Sequence, residues 1–263
     1  MDYSDLAHIF VFLFGLIIGS FLNCVIYRLE EGKSFLKGRS FCPDCGHVLG
    51  FLDLVPVFSF IFLKGKCRYC GKRISWQYPL VELATGVIFL LVSIIFGVRS
   101  FGYIYYLLIS SLLIIVFVYD LKHYIIPDGV IYTAIIASFL YNIVYSFLTI
   151  GSFQFFLQSL LAALLASGFF LLIVLISKGK WMGVGDIKLA LLMGLFLSWP
   201  NIIIALFSAF FIGAVIGVGL IILKKKGLKS EVPFGPFLVT GTFLSLFWGS
   251  GILAWYFSLI LIK

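Results

Sequence analysis

Long apolar segments joined by short polar connections make up most of this chain of 263 residues. A run of about 18 or more apolar residues is long enough to cross a bilayer as a helix. The predicted spans are 8–27, 79–98, 103–121, 128–149, 154–177, 187–198, 201–223 and 235–262. The sixth span is short for a crossing, so a total of six or seven is the alternative. The pattern therefore predicts an all-α polytopic membrane protein with about eight transmembrane helices.

The composition supports this class, and the positions of the basic residues predict an orientation. The chain is 62% hydrophobic and 11% charged. With the N-terminus outside, seventeen of the nineteen Lys and Arg residues lie on the cytoplasmic side, and only Arg99 and Lys263 do not. The lysines at 224–226 then form a cytoplasmic stop after the seventh span. The net charge of +8 is thus explained by an anionic membrane surface, and we expect no nucleic-acid partner. Acidic rather than basic residues precede the first apolar run. Residues 1–27, which contain the first span, are therefore predicted to be an uncleaved membrane anchor.

The one sizeable polar segment, 28–78, contains two Cys-x-x-Cys pairs, Cys42 with Cys45 and Cys67 with Cys70. Two such knuckles supply the four thiolates of a tetrahedral structural zinc site. A segment of this size buries too little apolar surface to be stable alone, so a structural metal is physically reasonable. Disulfides are the alternative, although the predicted cytoplasmic position is reducing. We therefore expect a small cytoplasmic zinc-knuckle insert.

Two aspartates beside apolar segments form the candidate reactive centre. Asp186 follows Gly183-Val184-Gly185 at the start of the short sixth span, and Asp120 ends the third span. Glycines permit tight turns and close packing. A helix end disfavours the charge of Asp120, whereas a helix start favours that of Asp186. Two carboxylates in contrasting environments can share one proton and activate water, as in aspartic proteases.

Three other polar residues have plausible structural roles. Asn23 is expected to make an interhelical hydrogen bond, in a helix whose Gly15 and Gly19 permit close approach. Glu82 lies near a helix start, where the dipole favours a carboxylate, and a functional role is the alternative. Asp128 follows a proline and is expected to cap the fourth span, with catalysis as the alternative.

The order of these motifs resembles the bacterial type IV prepilin peptidases, which are membrane aspartic proteases of the Gly-x-Gly-Asp group. The resemblance covers nearly the whole chain, at 19–23, 42–45, 67–70, 78–82, 120–128, 183–186 and 233–237. It implies that Asp120 and Asp186 are catalytic and that 79–263 is the peptidase core. It also implies a location in the bacterial inner membrane, with the active site and the zinc insert at the cytoplasmic face.

The resemblance further implies two activities. The first is cleavage of the leader of type IV prepilins or pseudopilins after a glycine, in a pilus, type II secretion or competence system. The second is N-methylation of the new terminus with S-adenosylmethionine, for which the sequence identifies no binding residues. Two other classes are a proton-coupled transporter, in which aspartates relay protons near the membrane midplane, and a zinc-bearing scaffold without chemistry. Alanine at Asp186 would leave the function of a scaffold intact.

Overall fold

The computed structural model describes residues 3–34, 38–223 and 232–261. The lysines at 224–226 and Glu231 lie outside these ranges. The chain divides into two compact units, Met1–Ile115 and Val116–Lys263. The described residues contain helices and two isolated β-bridges but no extended strand, which confirms the all-α class. The division into 1–27, 28–78 and 79–263 stays a prediction.

The helices follow the apolar pattern of the sequence. They are α1 (Tyr3–Glu30), α2 (Phe58–Phe62), α3 (Gln77–Phe96), α4 (Tyr103–His123), α5 (Asp128–Tyr145), α6 (Gln154–Ser177), α7 (Val184–Leu197), α8 (Asn201–Ile222) and α9 (Gly235–Leu261). A π-helical turn, Ser146–Ile150, extends α5. Every predicted span has a helix, and among the described residues seven are long and apolar enough to cross a membrane. The exception is α7, the sixth predicted span.

Helix α7 is short and is largely buried by its neighbours. Its 14 residues extend over about 21 Å, whereas the hydrocarbon core of a bilayer is about 30 Å thick. Leu189, Ala190 and Met193 are fully buried, and α7 packs against α5, α6 and α9. A helix that is apolar on all sides belongs inside a protein. The described residues thus contain seven helices long enough to cross a bilayer and one shorter helix, α7, which is covered by its neighbours in the second unit.

In the first unit, α1 and α3 pack closely through small residues. A Cβ atom on Gly15 would come within 2.8 Å of the Gly86 Cα, and one on Gly19 within 2.6 Å of the Glu82 Cα. Asn23 donates from Nδ2 to the Tyr78 carbonyl at 3.1 Å. The predicted close approach and the predicted interhelical hydrogen bond are both confirmed.

In the second unit, similar contacts fix the position of α7. The backbone of α7 at Gly194 lies directly against Ala163 of α6, leaving no room for a side chain. Asn142 of α5 donates from Nδ2 to the Leu195 carbonyl at 2.8 Å. These contacts hold the C-terminal half of α7, so its first turn has a defined position beside the end of α4.

Candidate active site and cysteine cluster

Asp120 and Asp186 line the same open cavity, which has a volume of about 790 Å³. Asp120 is 5% exposed and Asp186 is 8% exposed. The cavity wall also contains the connection from α4 to α5, the connection from α6 to α7, and residues 232–234 before α9. The structure thus brings the two aspartates that the sequence singled out to one water-accessible cavity.

The glycine motif explains how Asp186 is held. Asp186 lies in the first turn of α7, and its Oδ2 accepts a hydrogen bond from the Gly183 N–H at 3.2 Å. A Cβ atom on Gly185 would lie 3.1 Å from the Ile126 Cβ, so a glycine here allows α7 to start close to the α4–α5 connection. A Cβ atom on Gly183 would meet nothing nearer than 3.9 Å. Close packing therefore requires Gly185 and not Gly183.

The environment of Asp186 differs from the one predicted by its place at a helix start. Burial and the nearby charge of Asp120 raise the pKa of Asp186 to about 7, although the Gly183 N–H acts to lower it. The helix-start argument is therefore wrong for this residue. Desolvation and a second carboxylate outweigh a single main-chain hydrogen bond.

Asp120 has a partner that the sequence analysis missed. The Gly235 N–H, at the start of α9, donates a hydrogen bond to the Asp120 carboxylate. A Cβ atom on Gly235 would clash with Oδ2 of Asp120 and would lie 3.1 Å from its Cγ. The signal in the sequence is the glycine between two prolines at 233–236, a segment that belongs to the resemblance but had no role assigned to it.

Asp128 also lines the cavity, but it does not cap α5 as predicted. Its Oδ1 forms an ion pair with Lys188 Nζ at 2.6 Å, and Nζ also lies 4.9 Å from the centre of the Tyr132 ring. The partner is available because Lys188 follows Asp186 on the first turns of α7. The cap prediction failed because this longer-range pairing takes up the carboxylate.

The four cysteines of the insert form one cluster in the first unit. Their Sγ atoms all lie within 4.8 Å of one another, and those of Cys42 and Cys70 are 3.9 Å apart. Tetrahedral zinc with Zn–S bonds of about 2.3 Å requires Sγ atoms about 3.8 Å apart. All four cysteines are free of disulfides. The cluster therefore has the composition and size of a metal site.

The two knuckles repeat the same backbone arrangement. The Gly46 and Gly71 N–H groups donate to the carbonyls of Cys42 and Cys67, each at 2.9 Å. Both glycines have the left-handed φ that such a turn needs, +70° and +72°. Hydrogen bonds from the N–H groups of Cys70 and Tyr69 lower the pKa of Cys67 to about 7. The pKa of Cys70 is instead raised to about 11, because the lowering effect of the Lys72 N–H is outweighed by desolvation and by hydrogen bonds with the other cysteines. Metal binding to this cluster would therefore release protons.

Fold and site together define a class: a polytopic helical membrane protein with two carboxylates in one cavity and a separate four-cysteine cluster. Family models identify it further. Residues 13–96 match the bacterial peptidase A24 N-terminal domain, and residues 107–218 match the type IV leader peptidase family. The chain belongs to the type IV leader peptidase family.

Several relatives resemble the chain over nearly its whole length. A prepilin leader peptidase/N-methyltransferase of Bacillus subtilis (strain 168) is 35% identical over 95% of this chain and 98% of its own. One from Aeromonas salmonicida (strain A449) is 31% identical over 95% and 94%, and one from Legionella pneumophila is 30% identical over 97% and 96%. No solved structure matches the chain.

Proposed function

We propose that this chain is an aspartic endopeptidase of the membrane interface. It cleaves the leader of type IV prepilins or pseudopilins after a glycine and N-methylates the new terminal residue. The observation that carries this proposal is the pair of buried aspartates in one open cavity. Relatives of nearly the same length that carry the name prepilin leader peptidase/N-methyltransferase support the choice of substrate.

The proposed mechanism uses one proton shared by the two carboxylates. Asp186, whose pKa is raised to about 7, holds the proton. Asp120, positioned by the Gly235 N–H, takes a proton from water while the water oxygen bonds to the scissile carbonyl carbon. Asp186 gives its proton to the carbonyl oxygen. The tetrahedral intermediate collapses when Asp120 gives the proton it took from water to the leaving nitrogen, Asp186 takes back a proton from a hydroxyl of the intermediate, and the C–N bond breaks.

Two further groups belong to the proposal. Cys42, Cys45, Cys67 and Cys70 would hold zinc, and four thiolates leave it no open position, so its role would be structural. S-adenosylmethionine would supply the methyl group for the second activity. The methylation proposal rests on the names of the relatives.

We also propose that the chain lies in the bacterial inner membrane with its N-terminus outside. The seven apolar helices support membrane insertion. The bias of basic residues supports placing the 28–78 insert and the connections at 122–127 and 178–183 in the cytosol. The two aspartates adjoin those connections, so a scissile bond at the cytoplasmic interface would reach them.

Substitution of each aspartate tests the proposal. Asp120→Asn and Asp186→Asn should each abolish cleavage of a synthetic prepilin, because neither amide can take or share the proton. The assay measures the masses of both fragments after incubation with purified protein. Asp44→Asn, on the surface of a knuckle, is the control and should cleave normally, since a surface ion pair contributes little to stability. If one cavity variant kept near-normal cleavage, Asp128 would replace that residue as the candidate.

A further inference from the structure

One segment of the insert exposes an unusual amount of apolar surface. Residues 51–62 form a short 3-10 turn followed by α2, and they include only two polar residues, Asp53 and Ser59. Phe51 is 85% exposed, Phe62 is 80% exposed, and Leu52 and Ile61 are also strongly exposed. A contiguous apolar surface of this kind normally contacts a partner or a membrane. This segment is called the apolar loop below.

Several polar groups of the apolar loop form hydrogen bonds within the insert. The Asp53 side chain is 6% exposed and accepts hydrogen bonds from Arg68 at 2.7 Å, Tyr69 at 3.1 Å and the Gly50 N–H at 3.1 Å. The N–H groups of Ser59 and Ile61 donate to the carbonyls of Val55 and Val57 at 3.0 and 3.1 Å. Backbone that enters an apolar phase must have its hydrogen bonds satisfied in this way. The loop thus turns its polar atoms inward and its apolar side chains outward.

The apolar loop is attached to a membrane helix below the first turn of that helix. Glu82 accepts a hydrogen bond from the Val57 N–H at 2.7 Å, and Glu82 is only 7% exposed. It lies five residues after the first residue of α3, Gln77, which is about 7.5 Å along the helix axis. Helices that lie in a membrane interface bury their apolar face about 5–10 Å deep. The hydrogen bond between Glu82 and Val57 therefore places the loop at the depth of the acyl-chain boundary.

The flanking residues are those of a membrane interface. Trp76, 70% exposed and immediately before α3, packs its ring against Phe60 with centroids 4.9 Å apart. Tryptophan is enriched at the headgroup level of membranes. Lys64 and Lys66 follow α2 and are exposed, where they can meet anionic headgroups.

We propose that residues 51–62 form an interfacial membrane segment, with Phe51, Leu52, Ile61 and Phe62 in the acyl-chain boundary of the leaflet and with Glu82 fixing its depth. The insert then contacts the lipid surface directly, in addition to being connected covalently to the membrane helices. This goes beyond the proposed function, since it does not depend on which peptide is cleaved. Glu82 is a positioning residue in this proposal.

Photochemical labelling by lipid tests the depth of the loop in the intact protein. The full chain is reconstituted in vesicles that contain anionic phospholipid and a phospholipid with a diazirine in its acyl chain. After irradiation, peptide mass spectrometry should find lipid adducts on 51–62 as well as on α3. The knuckle residues 42–48 and 66–73 should carry none. Adducts on α3 without adducts on 51–62 would overturn the proposal, as would chemical cross-links from 51–62 to a second copy of the chain.

Variants of Glu82 test its positioning role. Glu82→Ala removes the acceptor and should cause loss of the adducts on 51–62. Glu82→Gln keeps an oxygen that can accept the Val57 N–H, so this variant should retain the adducts. The adducts on α3 serve as the internal control for insertion. If the Ala variant labelled 51–62 as strongly as the original chain, Glu82 would not fix the depth of the loop and the proposal would fail.

Discussion

Replacing Gly235 by alanine should disable cleavage while the protein stays folded. Gly235 is the first residue of α9, and its backbone does not require the left-handed φ that favours glycine. The added Cβ, however, would clash with Oδ2 of Asp120 and approach its Cγ to 3.1 Å and its Cβ to 3.5 Å. Several atoms of one buried side chain would be affected, so Asp120 would have to move as a unit.

The expected loss follows from the size of that movement. Restoring ordinary van der Waals contact requires the carboxylate to shift by about 1 Å, and a misplacement of that size costs about 100-fold in rate. The Gly235 N–H would then also lose its acceptor. We therefore expect kcat/KM for a synthetic prepilin to fall by about 100-fold or more. The initial rate of fragment formation, measured by mass spectrometry, gives this value.

The same helix supplies a matched control. A Cβ atom on Gly251 of α9 would meet nothing within 4 Å, so Gly251→Ala makes the same chemical change in open space. It should cleave at the rate of the original chain. Thermal unfolding should show that Gly251→Ala is at least as stable as the parent protein and that Gly235→Ala remains folded, since displacing one buried side chain costs about 1–3 kcal/mol. A Gly235→Ala variant that retains its rate would show that Asp120 need not occupy the observed position.

Three further predictions concern protonation, metal and the order of reactions. Because Asp186 with a raised pKa of about 7 is the proposed proton donor, kcat/KM should fall as the pH rises through about 7, and a profile that rises there would contradict this assignment. Metal analysis of freshly purified, reduced protein should find one zinc per chain, and protein without zinc would refute the site. Replacing Cys42 and Cys45 by serine should make residues 28–78 sensitive to protease before the membrane core is affected. With labelled S-adenosylmethionine, the Asp186→Asn variant should methylate mature pilin at the normal rate but not uncleaved prepilin. No transfer to mature pilin from a folded variant would mean a single shared centre or a chain that is only a peptidase.

The sequence was most informative where the determining interactions are local. Each cysteine knuckle is formed by a few consecutive residues, and the left-handed Gly46 and Gly71 confirm the turn that their spacing predicted. The positions of the membrane helices were equally clear, since length and apolar composition decide them. Close approach at Gly15 and Gly19 was also predictable, because small residues at a helix surface have few other uses.

The sequence was least informative about partners that are distant along the chain. Glu82 was expected to interact with its own helix dipole, but it accepts the Val57 N–H from the insert. Asp128 was expected to cap α5, but it pairs with Lys188. Each carboxylate has a local use that is physically sound. The three-dimensional fold offers a stronger partner, and no periodicity or spacing in the sequence indicates which one.

The burial of Asp186 explains why the local argument failed for this residue. At a helix start exposed to water, a carboxylate gains from the helix dipole and keeps most of its hydration. In the first turn of α7, Val184 is 61% exposed, but Asp186 is only 8% exposed. Asp186 therefore loses hydration and faces the charge of Asp120. Holding one proton between two such groups relieves both costs. The least convincing span in the apolar pattern is thus the element that makes the proposed acid and base a pair.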